Sequence, residues 1–168
     1  MTANAARFLI LLVFAGLTTP AMADDCTTAL RASVQKPVTT LTSREDGHGN
    51  LIQTRVVQLP EVQYVQTTDG QWHSVATSIK ERIDTATEDL KTAKVTCERS
   101  GTGTVHRTAT VVYLMHEDNG GDITDSKVWI AANLIMRSDI TLAGAHYTTL
   151  FDYAHVSAPA NAKALASR

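Results

Sequence analysis

After its first two dozen residues the chain has no apolar run near the roughly 18 residues that a membrane-spanning helix needs. It has no block of Lys and Arg, which removes the electrostatic footprint of a nucleic-acid binder. H-E-x-x-H, H-x-H, C-x-x-C and G-x-S-x-G are all missing. Those absences take away the usual zinc, redox and nucleophile-elbow signatures. Aromatic residues make up only 5% of the chain; Tyr64, Trp72, Tyr113, Trp129, Tyr147, Phe151 and Tyr153 could line a ligand cavity, although core packing alone explains most of them. There is no internal repeat and no interdomain linker.

What is present begins with an address. Arg7 precedes the apolar run Phe8 to Leu17, and Thr18 to Ala23 ends in the small–x–small triplet Ala21-Met22-Ala23. That layout is a secretory signal peptide, with cleavage expected after Ala23. Ten apolar residues are too few for a membrane anchor, which takes about 20. The remaining 145 residues have 14 basic against 17 acidic side chains, a net charge of −3. They suffice for one domain with its own core. The expected organisation is a signal peptide over 1–23, a single domain over 24–159 and a disordered tail over 160–168. The expected location is periplasmic or secreted, with no integral membrane segment after cleavage.

Two cysteines, Cys26 and Cys97, remain in that exported chain. An even count in an oxidising compartment favours a disulfide. Lipidation of Cys26 is the competing use, but Asp24 and Asp25 stand where small or apolar residues would be wanted.

Periodicity then sets the elements. Cys26 to Lys36 reads as a short helix stopped by Pro37. Leu51–Leu59 and Val62–Thr67 read as strands broken at Pro60, and the β-rich run resumes at Trp72 after an Asp69-Gly70 turn. Val75, Ile79, Ile83, Ala86 and Leu90 form one apolar stripe, predicting a helix over 75–93. Lys80, Glu81, Arg82, Asp84, Glu88, Asp89 and Lys91 are assigned to its wet face. Lys94–Arg99 reads as a strand, Ser100–Gly103 as a turn, and His106–Glu117 as a strand. Asp118–Asp122 is a hairpin loop, and strands follow over 126–131, 134–142 and 146–156. The order predicts an α+β domain, a curved antiparallel sheet with an N-terminal helix and one longer helix on one face.

Candidate chemistry is sparse. Six histidines, His48, His73, His106, His116, His146 and His155, lack ligand spacing, and Asp118, Asp122 and Asp125 lack the frame of a calcium loop. No catalytic residue, metal site or cofactor is expected, and the protein is read as not an enzyme. The stronger pattern is geometric. A long curved sheet covered by one substantial helix must close on itself, expose apolar surface or hold something. Alternation selects Val56, Val65, Val111, Tyr113, Val128, Ile130 and Ile140 as inward-facing, with Ile79 and Ile83 on the covering helix.

Lys127-Val128-Trp129-Ile130, followed by Leu134-Ile135-Met136-Arg137-Ser138-Asp139, resembles the periplasmic lipoprotein-carrier-like proteins of the LolA/LppX type. There a strand ending in Trp-Ile leads through a short turn to a Gly-Leu-Pro-Leu-Arg element. Trp129-Ile130, Leu134 and Arg137 fit, while Asn133 stands where Gly is usual and Ile135 where Pro is usual. Tyr64 with Gly70 and Trp72, and Tyr153-Ala154-His155-Val156 through Pro159, resemble further elements, so the likeness spans roughly 51–159. It implies a bent half-barrel with helices plugging its concave side. It also implies binding of acyl chains or lipidated partners without catalysis. On its own chemistry Arg137 is a candidate to meet an anionic head group through charge-assisted hydrogen bonds, set against the favoured reading of an ordinary strand-edge cation. The function expected is an exported carrier of an apolar ligand. The alternative is a small periplasmic protein–protein interaction module with a filled core and no cavity.

Overall fold

A computed structural model describes residues 22–46 and 48–164 of the chain. Residues 1–21, all but the last two of the expected signal peptide, lie outside the described residues.

Helix α1 (Met22–Val34) leads into β1 (Val38–Glu45), β2 (Leu51–Gln58), β3 (Gln63–Gln66) and β4 (Trp72–Val75). Helix α2 (Ile79–Thr92) follows, then β5 (Lys94–Val105), β6 (Thr108–Asn119), β7 (Asp122–Ala131), β8 (Leu134–Leu142) and β9 (Ala145–Asp152). A two-residue strand, β10 (Lys163–Ala164), ends the series. All ten strands form one sheet in the order β10-β4-β3-β2-β1-β9-β8-β7-β6-β5. Every pairing is antiparallel except the short β10–β4 contact. The two end strands do not meet, so the barrel is left open. This is the α+β half-barrel that the sequence predicts. The segment 160–168, expected to be disordered, contains the Lys163–Ala164 pairing, and residues 165–168 lie outside the described residues.

The connection between β4 and β5 explains the curvature. These strands lie eight steps apart in the sheet, about 38 Å if it were flat. Helix α2 is about 21 Å long and is joined by only Ala76–Ser78 before it and Ala93 after it. Reaching across a flat sheet would require the whole segment in a straight line. Instead its entry is tucked back: the Gln58 amide donates to the Thr77 carbonyl at 3.1 Å, and Ile79 N–H donates to the Pro60 carbonyl at 2.7 Å. The sheet therefore curls toward α2, and α2 spans the curve as a chord.

Local chemistry moves several boundaries. α2 starts at Ile79 rather than Val75 because Ser78 and Glu81 form a capping box. Ser78 Oγ accepts from Glu81 N–H at 3.1 Å, and Glu81 Oε2 accepts from Ser78 N–H at 2.7 Å. Strand β1, unassigned in the sequence, sits in the middle of the sheet between β2 and β9. The expected turn at Ser100–Gly103 is instead a register shift between Arg99 and Gly101 inside a continuous β5. The true turn is His106-Arg107, both with positive φ (47° and 68°), so His106 is not on a strand. Ala132-Asn133 turns between β7 and β8 in the same left-handed region.

The packed core lies where α1 crosses β5–β8. Cys26, Ala29, Tyr113, Val128, Ile130 and Ile135 are buried together, with Leu30, Cys97, Val111, Met115 and Phe151 packed around them. The expected Cys26–Cys97 disulfide is formed, with Cα atoms 6.2 Å apart, and fastens α1 to the edge strand β5.

Candidate functional site

Register decides which side chains share the concave face. Phe151, which packs against the α1 core, pairs with Thr40, Thr40 with Val56, Val56 with Val65, and Val65 with His73. Paired residues of an antiparallel sheet point to the same side, so this row of five strands faces the helices. Val111, Tyr113, Val128 and Ile130 are on the same side, and Ile140 joins them through its partner Ser126.

The expected ligand-facing residues fall into two groups. Tyr113, Val128 and Ile130 are buried under α1, where Cys26 and Ala29 fill the space above them. Their packing is that of a core. Toward the β5–β6 hairpin this cover thins, and Val111, Tyr113 and Ile130 line a cavity of about 660 Å³ with Asp25 beside it. Tyr113 Oη donates to Asp25 Oδ2 at 3.3 Å. Burial, reinforced by the Asp25 charge and this hydrogen bond, pushes the phenol's pKa up.

The second group is Val56 and Val65, on strands β2 and β3, with Ile79 and Ile83 on α2. All four are only half-buried. α2 packs against α1. Its described exposed residues are Lys80, Glu81, Asp84, Thr85, Thr87 and Glu88, and its inward stripe is Ile79, Arg82, Ile83 and Ala86.

Arg137 does not join either group. It pairs in register with Trp129, on the face opposite Val128 and Ile130. There it stacks over the Trp129 ring at 4.5 Å and donates two hydrogen bonds to Asp139, at 2.8 and 2.7 Å. Burial pushes the Asp139 carboxyl up, but hydrogen bonds from Arg137 and Thr148 and the nearby charge outweigh it and hold the pKa low. A cation already held by a carboxylate and an indole outside the concavity is not a head-group receptor within it.

The cation that does enter the concave side is Arg82, which the apolar periodicity assigns to the wet face. Its Nη1 is buried and has no hydrogen-bond partner, and burial depresses its pKa. The titratable group acting on it is the Tyr153 phenol, whose hydroxyl donates to the Ile135 carbonyl at 2.9 Å. Its position three residues after Ile79 and four before Ala86 was the available signal, since those spacings put it on the stripe itself.

The opposite face of the sheet carries a groove of about 630 Å³. Leu114, Lys127, Asp139 and His146 line it, together with His116 and Asp125, which lie 2.7 Å apart. Among the described residues no group of three His, Cys, Asp or Glu side chains is placed to hold a metal.

No family profile and no curated protein matches the chain. Solved structures do. LprF from Mycobacterium bovis aligns at 13% identity over 83% of this chain and 96% of its own, with a TM-score of 0.49. The Mycobacterium tuberculosis lipoprotein LppX aligns at 14% identity over 80% and 95%, with a TM-score of 0.43. MucB aligns at 12% identity over 86% of this chain and 63% of its own, with a TM-score of 0.50. At such identities the likeness is one of fold. The half-barrel itself rests on strand order and register.

Proposed function

We propose that this is an exported, non-enzymatic carrier or binding protein that holds an apolar, acyl-chain or lipid-like ligand between the curved sheet and α2. One observation carries the reading. Val56 and Val65 on the concave face of the sheet, and Ile79 and Ile83 on the inward stripe of α2, are apolar but only half-buried, and α2, which packs against α1, is tethered by Ala76–Ser78 and Ala93. The α1 side of the concavity is filled and pinned by a disulfide, whereas the α2 side has apolar surface still to bury. A ligand chain laid there would gain about 25 cal/mol for each Å² of apolar surface removed from water. Movement of α2 on its tethers would admit it. The leader-like N-terminus and the Cys26–Cys97 bridge support work outside the cytoplasm.

The test is truncation of that stripe. Ile79→Ala with Ile83→Ala should speed release of a fluorescent fatty-acid analogue several-fold, beyond what the loss of folding stability explains. Unchanged release with only a lower unfolding midpoint would defeat the gate. The interaction-module reading draws its support from β5, whose 12 residues form a sheet edge paired on one side only. A protein that takes up no amphiphile would move that reading to the front.

A further inference from the structure

Arg82 is the feature of the concave side that burial of an apolar chain alone does not use. It interrupts an otherwise apolar stripe, with Ile79 and Ile83 on either side and Ala86 one turn on. Its Nη1 is removed from water and has no hydrogen-bond partner. A buried guanidinium nitrogen without an acceptor is costly, and proteins retain such groups where something completes them.

The neighbouring acids on α2 are engaged elsewhere. Asp84 pairs with Lys80 at 2.6 Å on the exposed side. Glu81 accepts from the Ser78 N–H at the helix cap. Among the described residues no ion pair includes Arg82. The Tyr153 hydroxyl donates its proton to the Ile135 carbonyl, and a neutral phenol supplies no counter-charge. What is missing is an anionic acceptor, and a guanidinium fork best fits a carboxylate or phosphate.

Resting on the carrier reading above, we infer that the ligand is an anionic amphiphile, whose carboxylate or phosphate head meets Arg82 while its chain lies along the apolar residues of the concavity. The chain supplies burial and the head supplies selection. A neutral lipid of equal length would offer that nitrogen only an uncharged acceptor, a weaker partner than a carboxylate or phosphate, and so would be discriminated against.

The experiment uses one chain with three heads: palmitate, hexadecyl phosphate and hexadecanol, each competed against a fluorescent fatty-acid analogue on the protein without its leader. Both anions, or the one whose source is the natural ligand, should bind at least about tenfold tighter than hexadecanol. Arg82→Gln should erase that preference by weakening the anions far more than hexadecanol, and Arg82→Lys should keep part of it. Equal binding of all three heads to the unaltered protein would overturn the inference and leave the carrier reading standing. So would an Arg82→Gln variant that weakens every head alike. Binding of none would overturn both. Should Arg82→Gln fail to fold, the head-group comparison on the unaltered protein still decides.

Discussion

The Ser33 hydroxyl accepts a 2.9 Å hydrogen bond from the Ile135 backbone N–H, joining positions 102 residues apart in the interior. Ile135 opens β8 just after the Ala132-Asn133 turn, so its N–H is a donor that needs a partner once buried. With the disulfide at the other end, this bond fixes both ends of α1 on the sheet. Ser33→Ala should therefore cost about 1–3 kcal/mol, read from urea unfolding midpoints. A change below a few tenths would mean that the donor finds another acceptor.

Removing the Cys26–Cys97 bridge should lower stability by about 2–4 kcal/mol, because it closes a long loop in the unfolded chain. Paired Ala substitutions and reduction should agree when measured by denaturant titration. Reduction that leaves the midpoint unmoved would show that α1 is held by packing alone.

Gln58 is 2% exposed and its amide donates to the carbonyls of Leu59 and Thr77 at 2.7 and 3.1 Å. It latches the end of β2 to the entry of α2. Gln58→Leu should raise hydrogen exchange across residues 77–83 while β6 and β7 stay protected. Equal acceleration everywhere would mean that the latch stabilises the whole fold rather than one hinge.

Asp139 gives the fold an acid limb. Its carboxyl is held below the ordinary range in the folded state, so it contributes stability above its unfolded pKa of about 3.9. That contribution is lost as pH falls through the lower folded value. Asp139→Asn should be less stable than the unaltered protein at pH 7, with the gap closing below about pH 4. A gap that does not begin to narrow as pH falls below about 4 would assign the loss to packing rather than to charge.

Much of the architecture was legible. The ends of α1, β2 and β8 follow from Pro37, Pro60 and the Ala143-Gly144 turn, and two cysteines leave one intramolecular pairing. β1 escaped because Val38-Thr-Thr-Leu-Thr-Ser-Arg-Glu has little apolar alternation. Its place comes from pairing on both sides, which no local pattern announces. Ser100-Gly101-Thr102-Gly103 carries the composition of a turn. Gly103 is needed for another reason: a Cβ there would come within 2.9 Å of Trp129 Nε1. Arg137 and Arg82 exchanged roles for related reasons. The sheet's register puts Arg137 on the outer face with Trp129, and α2's packing turns Arg82 inward. Side-chain charge predicted the opposite for Arg82.

The central claim is that the concavity holds an amphiphile. Native mass spectrometry of the protein, purified without detergent, tests it most directly. The account predicts a co-purified fatty acid or phospholipid that leaves on denaturation, on a chain two hydrogens light for its disulfide. A bare mass that takes up no added palmitate or phospholipid would contradict it.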